Sequence, residues 1–429
     1  MGSIREVMRG NLLIFTFGDA MRQLSMFITF PYFSLYIQAL GGSTVDIGLV
    51  NGLRPLAAMF VYPVAGYIAD RHSRVRIIAA TNYATAALYL IFMLAPGWRF
   101  LALGNFLMGF TVFAFPAMNS LMVDSIPSGR RGVGYSLWWV FPSAVGILSP
   151  YIGGYLITVM GVEAALRVLY GLTVAMTVGI GTVNLRFLTE TKADAGAAPS
   201  AGGLRHVLSA SYRGIFHTLR WLPRELKAFA LMLALSFFVN SVVAPFWVVY
   251  GVGELGLSEL QWGMVLLSSA VVNVLLLVPA GIIVDRYGSR RVLTLALAAV
   301  VPAVALFPLS RGFTDTVMII VAGTICNAFL SSAAPAFMAH AVPGDRRGRV
   351  MAALGQGMMV INIMGGFGGP GMGAVQAIPS ILGAVMGGFI YRFNPSLPWF
   401  LLAAAMSLNA AFSFVFISRS RTVPTDGTR

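Results

Sequence analysis

Of the 429 residues, 58% are apolar and only 10% are charged. Soluble domains carry about 25% charged residues, so a single core wrapped in a water-exposed surface is excluded. The formal net charge of +14 sits between apolar runs, with no basic patch interleaved with aromatics, which argues against a nucleic-acid partner.

In chain order, two apolar stretches that contain charges come first, near residues 11–39 and 46–66. Uncharged runs follow at 77–98, 100–123, 132–162, 168–185, 228–253, 260–284, 292–310, 316–344, 350–391 and 393–418. Each reaches the roughly 20 residues that cross a bilayer as a helix. Lipid admits only helices or closed barrels, because every backbone polar group must be satisfied internally. Strict alternation over about ten residues is absent, so the pattern predicts an all-α integral membrane protein with twelve transmembrane helices.

The run at 350–391 is too long for one span, about 63 Å if fully helical. Its GGFGGPGMG at 365–373 cannot continue a regular helix cheaply. We read a short inner helix, a glycine turn, and an eleventh span from about Met372.

The polar, basic start, Met1 to Arg9, followed by a stretch without a small-residue cleavage site, predicts that no signal peptide is removed. With both termini on one side, that side collects Arg5, Arg9, Arg71, Arg74, Arg76, Arg130, Arg131, Arg286, Arg290, Arg291, Arg346, Arg347 and Arg349, while the other receives only Arg99, Arg167, Arg311 and Arg392. The positive-inside bias then predicts cytoplasmic termini, in a plasma membrane. The single Cys326 excludes an intramolecular disulfide and reads as a packed thiol.

The chain repeats itself. GYIADRHSRVR at 66–76 returns as GIIVDRYGSRR at 281–291, and FPAMNSLMVDSIPSGRRGVGYSL at 115–137 is echoed by APAFMAHAVPGDRRGRVMAALG at 334–355. Two six-helix halves in the same orientation result, 1–190 and 228–429, joined by a cytoplasmic segment at 191–227. That segment opens with TKADAGAAPSAGG, a flexible composition. Leu204, Leu208, Ile215, Leu219 and Leu222 follow at near-helical spacing among basic residues. The stretch reads either as an amphipathic helix on the inner lipid surface or as a linker that keeps the halves apart.

On these residues the chain resembles the major facilitator superfamily, whose loop between the second and third helices carries Gly-x-x-x-Asp-Arg-x-x-Arg. GYIADRHSRVR matches at Gly66, Asp70, Arg71 and Arg74; Asp285, Arg286 and Arg290 form the weaker second copy. The resemblance implies secondary transport by alternating access, with Gly66, Asp70, Arg71, Arg74 and Asp124 acting as a conformational latch between the halves. Asp124 can pair with Arg74. His340 stands where the first half has Asp124, which predicts a weaker or pH-sensitive second latch. FPSAVGILSPYIGGYLI at 141–157 places Gly146, Ser149, Pro150, Gly153 and Gly154 on the fifth helix. This is similar to a signature of the family's antiporters, with Ser149 at a glycine position; close packing and a proline bend also account for it.

Charges inside a span cost energy unless paired or wetted. Asp19 and Arg22 lie one turn apart on the first helix, and Arg54 lies near the middle of the second. Asp19 reads either as a fixed bridge to an arginine or as a proton carrier, with the arginines tuning it or holding an anionic group. The second half has no carboxylate within its apolar runs, so paired acids across the halves are not expected. Gln23, Tyr32, Tyr36, Asn51, Asn119, Trp138, Trp139, Asn240, Trp247, Asn273, Asn327 and Asn362 are candidates for lining a cavity or for bonding between helices. His72, His206, His217 and His340 lack metal-ligand spacing, and no nucleophile grouping is present, so neither a metal, a cofactor nor an enzyme is expected. The leading expectation is proton-coupled efflux (antiport) of lipophilic or drug-like small molecules by a monomer. An uptake or exchange carrier for a small anion is the alternative, and a non-transporting receptor or scaffold the third class.

Overall fold

The computed structural model describes residues 8–69, 71–126, 131–191, 218–342, 347–364 and 374–418. Helix dominates, and no strand occurs among the described residues. Ten helices are long and apolar enough to cross a membrane. The other two crossings are the first, which carries Asp19 and Arg22, and the eleventh, which is divided.

The first span runs Gly10–Thr29, tightens into a 3-10 turn at Phe30–Tyr32, and continues as Phe33–Ala39. Pro31 lacks the N–H that a regular helix would use, which explains the break. The seventh span repeats it: Arg224–Val243, a 3-10 turn at Ala244–Phe246 containing Pro245, then Trp247–Gly253. The second, third and fourth spans are Thr44–Ala69, Arg74–Met93 and Trp98–Ser125. The fifth is Arg131–Gly146 with Ser149–Met160, and the sixth Val162–Phe187. In the second half, Glu259–Tyr287, Ser289–Leu309 and Phe313–Ala341 form the eighth to tenth spans, and Leu397–Ile417 the twelfth. Twelve crossings return the chain to its starting side, here called the terminal side; the opposite one is the far side.

Large apolar side chains such as Phe17, Phe60, Val159, Leu295, Phe389 and Phe393 are exposed, the surface expected of a protein solvated by lipid tails. Buried aromatics knit the far ends. Phe92, Tyr89, Tyr36 and Tyr170 stack in the first half, and Trp247, Phe307, Tyr250 and Trp399 in the second.

Two boundaries differ from the sequence reading. The seventh span begins at Arg224, ahead of 228, and residues 218–221 are already helical. Leu222 and Leu226 are buried in the core, so this end of the amphipathic stretch packs against protein; Leu204, Leu208 and Ile215 lie outside the described residues. The eleventh span comprises Arg347–Leu354 and Ala374–Phe393, so the short inner helix is part of the span itself.

Candidate functional site

The two halves meet at a tight seal on the far side. A Cβ on Gly154 of the fifth span would stand 2.4 Å from the Glu259 carbonyl oxygen at the start of the eighth, and one on Gly388 of the eleventh would stand 2.8 Å from the Thr44 carbonyl oxygen at the start of the second. Only glycine admits such approach. Tyr32 donates to the Pro150 carbonyl at 2.6 Å, and Thr158 Oγ1 accepts from the Leu260 N–H at 3.0 Å. Gly153 lies against the Ile28 carbonyl and Gly146 against the Phe27 ring. The antiporter-like residues Gly146, Pro150, Gly153 and Gly154 therefore all serve contacts of the fifth span with the first or the eighth.

Behind this seal lies a cavity of about 760 Å³. On the fifth span its wall uses residues 140–147, and on the eighth 269–278, both terminal-side of the residues that form the seal. Phe27, Val140, Ser143 and Ile147 face it from the first half; Asn273, Leu277, Trp247, Phe307 and Thr324 face it from the second. No charged side chain is among the lining residues. Four of the polar or aromatic candidates, Trp247, Asn273, Asn327 and Asn362, reach this wall. Asn273 makes no hydrogen bond among the described residues, so its carboxamide is available to a bound molecule.

Asp19, Arg22, Gln23 and Arg54 are not lining residues. Asp19 is buried, 8% exposed, and its Oδ1 accepts from Arg22 Nε at 2.9 Å. Its Oδ2 accepts from the Trp138 indole N–H on the fifth span. Arg22, whose side chain is 46% exposed, shares Tyr89 with Arg54: the phenol lies within electrostatic reach of both. Gln23 sits beside Gly146. Sequence reasoning gathered the charges on one face and missed the indole, since nothing in the spacing of Asp19 and Trp138 foretells that the first and fifth spans touch there.

On the terminal side, Arg74 Nη1 lies 2.5 Å from Asp124 Oδ2. Thr191 Oγ1 joins both, accepting from Arg74 and donating to Asp124, and Ser73 donates to Glu190 at 2.7 Å. The repeat uses a different partner. Arg290 donates to Glu225 at 2.9 Å and stands 5.7 Å from the Phe337 ring, while exposed His340 bonds only its own helix at the Ala336 carbonyl. Both ion pairs join spans within one half. Arg71, Asp285 and Arg286 are exposed; Asp70 lies outside the described residues, as does the side-chain environment of Gly66.

Repeated six-helix halves, sealed at one face over an uncharged cavity, define a membrane transporter. The chain belongs to the major facilitator superfamily, whose profile matches residues 15–369 and, overlapping, 229–428. It is 31% identical over 153 residues to the multi-drug resistance efflux pump PmrA homolog of Lactococcus lactis subsp. lactis, covering 34% of this chain and 37% of that protein. The solved nucleoside transporter NupG superposes with a TM-score of 0.71 at 14% identity, covering 95% of this chain and 99% of that one. A bacterial homolog of the human lysosomal transporter Spinster, inward-facing and occupied, also gives 0.71 at 14% identity, covering 96% of each. At such identity these two establish the fold alone. The protein is a multi-pass membrane transporter of small molecules, not an enzyme.

Proposed function

We propose that this transporter exports lipophilic or drug-like molecules in exchange for protons, working as a monomer in the plasma membrane with cytoplasmic termini. The uncharged cavity carries the proposal. An apolar wall with scattered hydroxyl and amide groups suits a neutral lipophile that offers one or two hydrogen-bonding groups, with Asn273 the carboxamide that would engage them. The efflux pump relative supports the direction. With the terminal side cytoplasmic, a cavity behind a far-side seal is where a molecule from the cytoplasm or inner leaflet would enter.

Proton coupling falls to Asp19. An unpaired charge within a bilayer costs about 3 kcal/mol or more, and Arg22 with the Trp138 indole offsets that cost here. As the first and fifth spans shift during alternating access, loss of either partner would favour proton uptake. The antiporter-like packing of Gly146, Pro150, Gly153 and Gly154 fits such a shift. Carriage of a small anion is the second reading, favoured by the exposed guanidinium of Arg22.

Proteoliposomes loaded with a neutral dye and given an imposed pH gradient test both readings. Gradient-driven dye movement supports the proposal. Dye transport indifferent to the gradient removes proton coupling, and anion flux without dye flux replaces it with the second reading.

A further inference from the structure

The repeat shows that the eleventh span is interrupted. Gly153 and Gly154 of the fifth span pack against the carbonyls of Ile28 and Glu259; Gly387 and Gly388 of the eleventh pack in the same way against Val242 and Thr44. Each half thus presents the same glycine pair to the corresponding neighbours. The glycines, however, lie 234 positions apart in the chain, whereas Ile28 and Val242 are 214 apart and Thr44 and Glu259 are 215 apart. The excess matches residues 355–373, the segment between the two helices of the eleventh span. Gln376 Nε2, in the first turn of the resumed helix, donates to the Leu354 carbonyl at 2.9 Å, so the helix restarts beside the place where it stopped. Gly355 and Gly357, with φ of 65° and 73°, turn the chain out of the helix through conformations that L side chains avoid.

The excursion enters the cavity. Non-helical backbone at membrane depth must find partners within the protein, and two asparagines near the middles of their spans supply them. Asn327 of the tenth span accepts from the Ile361 N–H at 2.8 Å and donates to the Ile361 carbonyl at 3.3 Å. Asn240 of the seventh donates to the Val360 carbonyl and accepts from the Asn362 N–H at 3.2 Å. Both asparagines are buried. Held in this way, residues 360–364 line the cavity, and the first half, whose fifth span lacks the insertion, has no counterpart.

We propose that residues 355–373 are a cargo-selecting insert: residues 360–364 fill space that an unbroken eleventh span would leave open, and restrict the cavity to compact neutral molecules. This rests on the reading of the cavity as the cargo site. Ile363 and Met364, past the asparagine clamp, are the selecting side chains.

The test is equilibrium binding to the purified full-length protein, with N-phenyl-1-naphthylamine as a compact neutral probe and cyclosporin A as a bulky neutral competitor. The wild type is expected to bind the naphthylamine without displacement by cyclosporin A. Deletion of residues 355–373, which joins Leu354 to Ala374, should weaken naphthylamine binding at least tenfold and allow displacement. Should the deletion fail to fold, Ile363→Trp and the double substitution Ile363→Ala, Met364→Ala leave the clamp intact. The first should weaken naphthylamine binding at least tenfold, and the second should admit cyclosporin A, each at unchanged melting temperature. Folded variants with wild-type selectivity overturn the proposal, as does a wild type that does not bind the naphthylamine. Dye transport in proteoliposomes with no change of size selection in the variants would remove the insert and leave efflux standing. Altered selectivity without transport would do the reverse.

Discussion

Arg74 and Asp124, 2.5 Å apart, clamp the third span to the fourth at the terminal side, whereas the residue one repeat after Arg74, Arg290, finds its acid on the seventh span at Glu225. A charge has changed helices between the halves. Asp124→Asn should cost little stability, because its side chain is 44% exposed and such pairs contribute about 1 kcal/mol or less. Transport is expected to fall severalfold at a melting temperature within about 4 °C of wild type. Vesicle flux measured beside thermal unfolding decides this; normal flux would reduce the pair to a structural tie.

Glu225→Gln provides the second-half comparison. Arg290 also donates to the Ile417 carbonyl and sits over Phe337, so loss of the carboxylate leaves it partly held. We expect a smaller loss of flux than for Asp124→Asn. His340→Ala should be close to neutral in flux at pH 6 and pH 8, since the imidazole bonds only within its own helix. A large pH-dependent effect at His340 would restore it to the latch.

Gly154→Leu addresses the seal. Its Cβ would meet the Glu259 carbonyl carbon and oxygen, backbone that cannot rotate away. The far-side closed state should therefore be disfavoured, and cysteines placed at Ser143 or Asn273 should react with an impermeant thiol reagent from the far side, in a Cys326→Ala background. Transport should drop below about a tenth of wild type, as expected when one of two alternating states is lost. Unaltered labelling would show that the seal tolerates the side chain.

Asp19→Asn preserves shape and keeps an acceptor for Trp138 but cannot carry a proton. Flux driven by a pH gradient should be abolished while dye binding persists. Trp138→Phe removes the indole donor and leaves the carboxylate, so it should slow flux without uncoupling it. Arg22 loses its ionic partner in Asp19→Asn, and thermal unfolding must accompany the assay. Full gradient-driven flux in folded Asp19→Asn would take protons away from this residue and favour the anion reading.

Topology is checked with single cysteines at Ser128 and Gly344, expected to be protected from impermeant reagent outside intact cells, and at Ser43, expected to react. The opposite pattern would reverse the direction argued for the cavity.

The spans were legible in the sequence because a bilayer imposes length and apolarity on each segment separately; no partner is needed to read either. The duplication was legible for a related reason, since charged phrases such as GYIADRHSRVR stand out where charge is scarce, and the Arg74–Asp124 pair followed from their place at span ends. What the cavity is made of was decided only by tertiary structure. Asp19, Arg22 and Arg54 drew attention as charges in lipid, yet they stand outside the wall, and the wall belongs to neutral residues such as Asn273 that look like any interhelical amide in sequence. The division of the eleventh span was half visible: its length and glycines announced a break, but not that Leu354 and Gln376 remain hydrogen-bonded across it or that Asn240 and Asn327 hold the excursion in the cavity. Helix formation depends on neighbours a few residues apart, which sequence records directly. Those contacts join residues 22 to 122 positions apart, and their pairing is fixed only when the helices pack.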